Sequence, residues 1–241
     1  MVGPRLGFAA VSLLMARLSD ARTCNLPSDR EHTEVGRKAG MSELHPWVAA
    51  AARGVLPDWA VARKKRRAHM ARVAALLQGW GEARGDCPRD VERWTAVGYL
   101  HDVLRDAGAD ELRTTLPGPL NHLPDEVIHG PVAADRLRRG GVTDEPLLTA
   151  IAFHTLGSPD FDDIGKALYV ADFLEPGRKV QPKWRARLRD EMPGGLDSVA
   201  QAVVGKRVQF LIKKGRPVPP ETIGLWNVLV KGRLWASASE V

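Results

Sequence analysis

Cysteine is nearly absent. Cys24 and Cys87 are the only two in 241 residues, far apart and in no spaced motif. Their spacing makes no disulfide framework, so a reducing compartment, the cytoplasm, is the expectation. Long apolar runs are missing too. The longest near the start, Gly7 to Leu14, falls well short of the about 20 residues a membrane helix needs, so no membrane association is expected. Arg5 ahead of it gives the look of a weak signal peptide, but no small-residue cleavage pattern follows. No segment alternates polar and apolar residues long enough for a sheet. There is no internal repeat and no glycine-rich phosphate loop.

What is present reads as helix from residue 42 onward. Residues 1–40, with the polar stretch "SDARTCNLPSDREHTEVGRKAG", read as a poorly ordered extension, and Met41 opens a segment that looks more like a beginning. Asp58 is the expected cap of a helix to about Gly79, with His69, Val73, Leu76, Leu77 and Trp80 on one stripe. Pro88 suits the first turn of the next helix, where Trp94, Val97 and His101 share a face. Leu116 to Pro124 is an expected loop. A helix from about His129 to Arg139 should stop at Gly140-Gly141. Thr143 is the expected cap of a helix whose face carries Leu147, Ala150, Ile151 and His154, ended by Gly157. Asp162 or Asp163 opens another, with Ile164, Leu168 and Asp172 four apart, closed by Pro176-Gly177. Further helices are expected at about 182–192, 196–214 and 220–231.

The net charge is +6, from 35 Lys and Arg against 29 Asp and Glu. Such an excess favours a polyanionic partner without identifying one. The run "RKKRR" at Arg63 to Arg67 suggests nucleic acid at first. Five consecutive helical residues point all round the helix, however, and no base-stacking aromatics are interleaved. Nucleic acid is therefore not the expected partner. Arg66 stands apart, three residues before His69 and so on its side of the helix.

Histidine and aspartate carry the functional signal. His69, His101, His129 and His154 fall on expected helices, most of them on the apolar stripe, and Asp102 and Asp172 do the same. Burying that many ionisable groups separately would be costly. A shared metal centre converts the cost into coordination energy. The doublet His101-Asp102 can serve one cavity only if the cavity is wide, because adjacent helical residues diverge by about 100°. A two-metal centre is that wide, with ions roughly 3.5–4 Å apart, and a carboxylate can bridge them. Imidazole and carboxylate without thiolate favour iron, manganese or zinc over magnesium or calcium. His32, His45 and His122 lack this context and read as surface residues.

The order H…HD…H…H…D resembles the HD superfamily of metal-dependent phosphohydrolases, and more closely its YqeK-type branch, the symmetrical dinucleoside tetraphosphate hydrolases. The segments "LPDWAVARKKRRAHMARV", "LHD", "IHGPVAA", "AIAFHTLG", "LYVADFLEPGR" and "IKKGRPVPPETIGLWNVLV" carry the resemblance, over about residues 50 to 231. It implies an all-α HD-domain helical bundle over 41–235, including the C-terminal helices. It implies two divalent metal ions, iron first, with manganese or zinc as alternatives. One ion would be held by His69, His101, Asp102 and Asp172, the other by Asp102, His129 and His154. A hydroxide between the ions would attack a phosphorus of the substrate, diadenosine tetraphosphate, giving two ADP. Asp102 is the central catalytic residue in this reading. Arg178 and Thr155 are the expected substrate contacts, with Arg105 and Arg66 beside them. Two positions depart from the family pattern. Arg105 stands where the family has lysine, and Ser158 where it has arginine, with Phe161 replacing a methionine nearby. Another HD phosphohydrolase activity, a nucleotide phosphatase or phosphodiesterase, and a non-catalytic nucleotide- or RNA-associated module are the alternative readings.

Overall fold

A computed structural model describes residues 43–192 and 194–231. The expected extension at 1–40 lies outside these residues, as does Cys24. The described residues form ten α-helices and no strand: α1 (Pro46–Ala52), α2 (Lys64–Arg84), α3 (Pro88–Leu100), α4 (Ala109–Thr115), α5 (His129–Arg139), α6 (Glu145–Phe153), α7 (Asp163–Leu174), α8 (Pro182–Glu191), α9 (Leu196–Lys213) and α10 (Pro220–Val230). The all-α expectation holds. A single 3-10 turn, Gly118–Leu120, sits in the loop expected between Leu116 and Pro124.

Helix α7 runs through the middle and packs against α2, α3, α6, α8 and α9. Its sequence explains this: Ile164, Ala167, Leu168, Val170, Ala171 and Leu174 are all buried, covering more than one face, as an enclosed helix requires. Asp162 caps it by accepting from the amides of Ile164 and Gly165. Helix α10 is tied back by Thr222, whose hydroxyl donates to the Leu156 carbonyl at 2.6 Å.

Two close helix pairs flank α7, and glycine sets the spacing in each. A Cβ on Gly98 of α3 would lie 2.5 Å from Ala74 Cα of α2. A Cβ on Gly130 of α5 would lie 2.7 Å from the Ala152 carbonyl oxygen of α6. Both obstacles are backbone, so neither pair could stay this close with a side chain at those positions.

Three local expectations are corrected. Asp58 is not a helix cap, because α2 begins only at Lys64, after Arg63, and continues past Gly79 to Arg84. A glycine inside a helix costs about 1 kcal/mol but does not end it; the stop comes at Gly85, whose φ of 74° is left-handed. The cap of α6 is Asp144 rather than Thr143. Its Oδ1 accepts from the Leu147 amide at 3.1 Å and from Arg93 Nη2 of α3 at 2.7 Å. Asp144→Ala should therefore lower the unfolding free energy by about 1–2 kcal/mol, the upper range for a lost cap, as read from urea denaturation. Finally, α1 and α4 fall in the stretch read as helical from residue 42, without bounds of their own among the expected helices.

Candidate metal centre

The six expected ligands converge. His69 lies in mid-α2 and Asp172 in α7, whereas the other three histidines sit at helix ends. His101 is the residue after α3, His154 the residue after α6, and His129 the first residue of α5. The doublet is thus not inside a helix as expected. Beyond Leu100 the chain tightens into turns, with the Val103 amide donating to the Leu100 carbonyl and the Arg105 amide to the Asp102 carbonyl. This end of α3 carries His101 and Asp102 into the space between the helix pairs.

Each close helix pair delivers two imidazoles. His69 and His101, from α2 and α3, bring their Nε2 atoms to 3.3 Å. His129 and His154, from α5 and α6, bring theirs to 3.2 Å. Asp102 lies between the pairs. Its Oδ2 is 3.5 Å from His69 Nε2 and 3.4 Å from His101 Nε2. Its Oδ1 is 3.1 Å from His129 Nε2 and 3.4 Å from His154 Nε2. Asp172 joins the first pair, with Oδ1 3.1 Å from His69 Nε2. The four histidines and Asp102 are buried.

The donor set fits divalent metal. His101 Nδ1 is 2.8 Å from the Gly98 carbonyl and His154 Nδ1 is 2.8 Å from the Ile151 carbonyl. A carbonyl can only accept, so both Nδ1 atoms carry the proton, and in the neutral ring Nε2 points inward as a bare lone pair. Inward lone pairs crowded around two carboxylates repel one another unless a cation lies among them. Burial pushes His129 down to about 4, against its hydrogen bond to Asp102, which keeps that imidazole neutral and able to ligate. His69, His101 and Asp172, and His101, Asp102 and His154, each form a group compact enough to hold an ion.

The four expected substrate residues are distributed unevenly. Arg66 Nη1 donates to Asp102 Oδ2 at 2.5 Å, and Arg178 Nη2 to Asp172 Oδ1 at 2.6 Å, so both guanidinium groups border the first histidine pair. Thr155 Oγ1 is 3.0 Å from His154 Nε2, beside the second pair. Arg105 is half-buried, and its charge lowers His129 from a distance. Ser158 is buried and accepts from the Asp160 amide, closing a turn. His45 and His122 lie elsewhere, as expected; His45 caps α1. Glu175 is a further carboxylate of the cluster that the sequence pattern did not single out. It is only 3% exposed, with Oε1 3.4 Å from His69 Nδ1. Its signal is its place in "EPGR", about one helical turn after Asp172.

The HD domain profile matches residues 66–177, which span all six converging residues. The symmetrical bis(5'-nucleosyl)-tetraphosphatase of Bacillus subtilis is 38% identical over 149 residues, covering 59% of this chain and 79% of that protein. The enzyme of the same name from Halalkalibacterium halodurans is 29% identical over 149 residues, covering 58% and 78%. A crystal structure of a predicted HD superfamily hydrolase from Clostridium acetobutylicum superposes with a TM-score of 0.62, over 77% of this chain and 96% of that one. At 21% identity it shows a shared fold and nothing more. With helices, the order of the six converging residues and the relatives in agreement, the chain belongs to the HD-domain family of the symmetrical bis(5'-nucleosyl)-tetraphosphatases.

Proposed function

We propose that this chain hydrolyses dinucleoside tetraphosphates, cutting diadenosine tetraphosphate symmetrically into two ADP. The observation that carries the reading is the division of Asp102, each of whose oxygens faces a different histidine pair. His69, His101, Asp102 and Asp172 would hold one divalent ion, and Asp102, His129 and His154 a second. Iron is the proposed metal, with manganese or zinc next, since imidazole and carboxylate ligands suit these ions. Bound there, metal would supply positive charge to the phosphoryl oxygens and acidify water at neutral pH.

The chain's own groups would do the rest. The oxygen of water would join one of the two central phosphorus atoms, its protons passing to solvent. The bridging P–O bond breaks, and its oxygen leaves with the second ADP. Charge gathering on the phosphoryl oxygens would meet Arg66 and Arg178 at one end of the cluster and the Thr155 hydroxyl at the other. Arg105 would add positive charge felt at His129. The relatives' names support this substrate class, and the compartment proposed is the cytoplasm. No helix among the described residues is long and apolar enough to cross a membrane. Residues 41–235 are proposed to act as one HD unit that includes α8 to α10.

The test is a nucleotide panel incubated with iron- or manganese-loaded protein, with products identified. ADP from diadenosine tetraphosphate supports the reading. Orthophosphate from nucleoside monophosphates, without ADP from the dinucleotide, would point instead to a nucleotide phosphatase. Arg178→Ala should lower kcat/KM about 10-fold or more, as expected for one charge-assisted hydrogen bond, with metal content at the wild-type value by elemental analysis.

A further inference from the structure

The geometry points to Glu175 as the positioning residue for His69: its carboxylate accepts from the Nδ1–H of that imidazole, which keeps the proton there and so aims Nε2 at the cluster. The inference rests on reading the cluster as a metal centre, but it concerns a residue outside the six ligands.

The need for such a residue follows from helix geometry. The last carbonyls of a helix lack intrahelical partners. His101 and His154 stand just past the ends of α3 and α6, and each donates its Nδ1 proton to the carbonyl three residues back, Gly98 and Ile151. His69 lies in the interior of α2, where neighbouring carbonyls already accept from the helix. Its Nδ1 must find an acceptor from another element. Glu175, directly after α7, brings Oε1 to 3.4 Å from it. That separation is longer than a formed N–H···O hydrogen bond, and such contacts tighten when a site closes on its ligand.

The carboxylate is held for this task. Its Oε2 accepts from Arg72 Nε at 2.6 Å and from the Gly177 amide at 2.8 Å. A Cβ on Gly177 would lie 2.9 Å from that same oxygen and 2.6 Å from Arg72 Nη2, so a side chain there would push against the Arg72–Glu175 pair. With Oε2 saturated, Oε1 is left facing His69, with Arg178 Nε 3.8 Å away. A carboxylate on the outer nitrogen fixes the tautomer, orients the ring and raises its basicity as a ligand.

The experiment uses the full chain, with Glu175→Gln and Glu175→Ala beside wild type. In metal-free protein, 15N spectra of the imidazoles should show His69 protonated at Nδ1 in wild type and shifted toward a tautomer mixture in both variants. Titration with Mn2+ should give a roughly 10- to 100-fold weaker affinity in the variants, the usual effect of losing such a partner. In turnover, kcat should fall while KM changes little. An unchanged His69 spectrum together with unchanged Mn2+ affinity would overturn the proposal, even if the melting temperature falls through loss of the Arg72 pair. Should Glu175→Ala fail to fold, Glu175→Gln keeps the shape and still decides. A wild-type chain that takes up no Mn2+ would overturn the metal reading, and the tautomer spectra would still decide the role of Glu175.

Discussion

Asp102→Ala is expected to abolish hydrolysis, by a factor of at least about 10^3, the upper range for removing a single electrostatic contact from an active site. Among the described residues, Asp102 is the carboxylate that touches both histidine pairs. Its Oδ1 serves His129 and His154, and its Oδ2 serves His69 and His101. Without it the second pair loses its carboxylate contact, while the first keeps Asp172 through His69. Metal content should therefore fall most at the His129–His154 side. Elemental analysis beside product release measures both effects. The fold should survive, because the variant also removes a buried charge, and the four imidazoles become mutually less constrained rather than unpacked.

Gly98→Ala is expected to lower both stability and activity. The new Cβ would meet Ala74 Cα at 2.5 Å and Ala74 N at 2.7 Å. Backbone cannot rotate aside, so α2 and α3 must part. Overpacking of this kind typically costs about 1–3 kcal/mol. The functional loss has a separate cause: α2 carries His69 and the end of α3 carries His101, so parting the helices opens the 3.3 Å approach of their imidazoles. A misplacement of about 1 Å can cost roughly 10²-fold in rate. Gly79→Ala is the matched control. It lies in the same helix α2, and a Cβ there meets nothing within 4 Å, so it should stabilise by about 0.5–1 kcal/mol with activity unchanged. Thermal unfolding and turnover of both variants check the pair; equal behaviour would mean that glycine at 98 does not set the spacing.

Much of this was legible in the chain itself. Where local signals act alone, boundaries came out close, as for α5, whose end at Arg139 follows from Gly140-Gly141. The six converging residues stood out because ionisable groups on apolar stripes are too costly to bury one by one. The misreadings arose where distant contacts overrule local ones. Asp58 looked like a cap, but residues 61–63 are bonded to the turn after the doublet. The Val61 amide donates to the Val103 carbonyl, the Asp106 amide donates to the Val61 carbonyl, and the Arg63 amide donates to Asp106 Oδ2. These bonds delay α2 until Lys64 and brace the turn that presents Asp102. The early end of α3, just before His101, was hidden because no glycine or proline marks it. Glu175 escaped notice for a similar reason, since its role depends on Arg72 and His69, both on another helix.

The most direct measurement is product analysis of diadenosine tetraphosphate turned over by the metal-loaded protein in 18O-labelled water. Hydrolysis at the bridge between the two central phosphorus atoms is expected to yield ADP alone, two per substrate, with one labelled oxygen on the terminal phosphate of one of the two. ATP with AMP, or no turnover by protein carrying its full metal content, would contradict it.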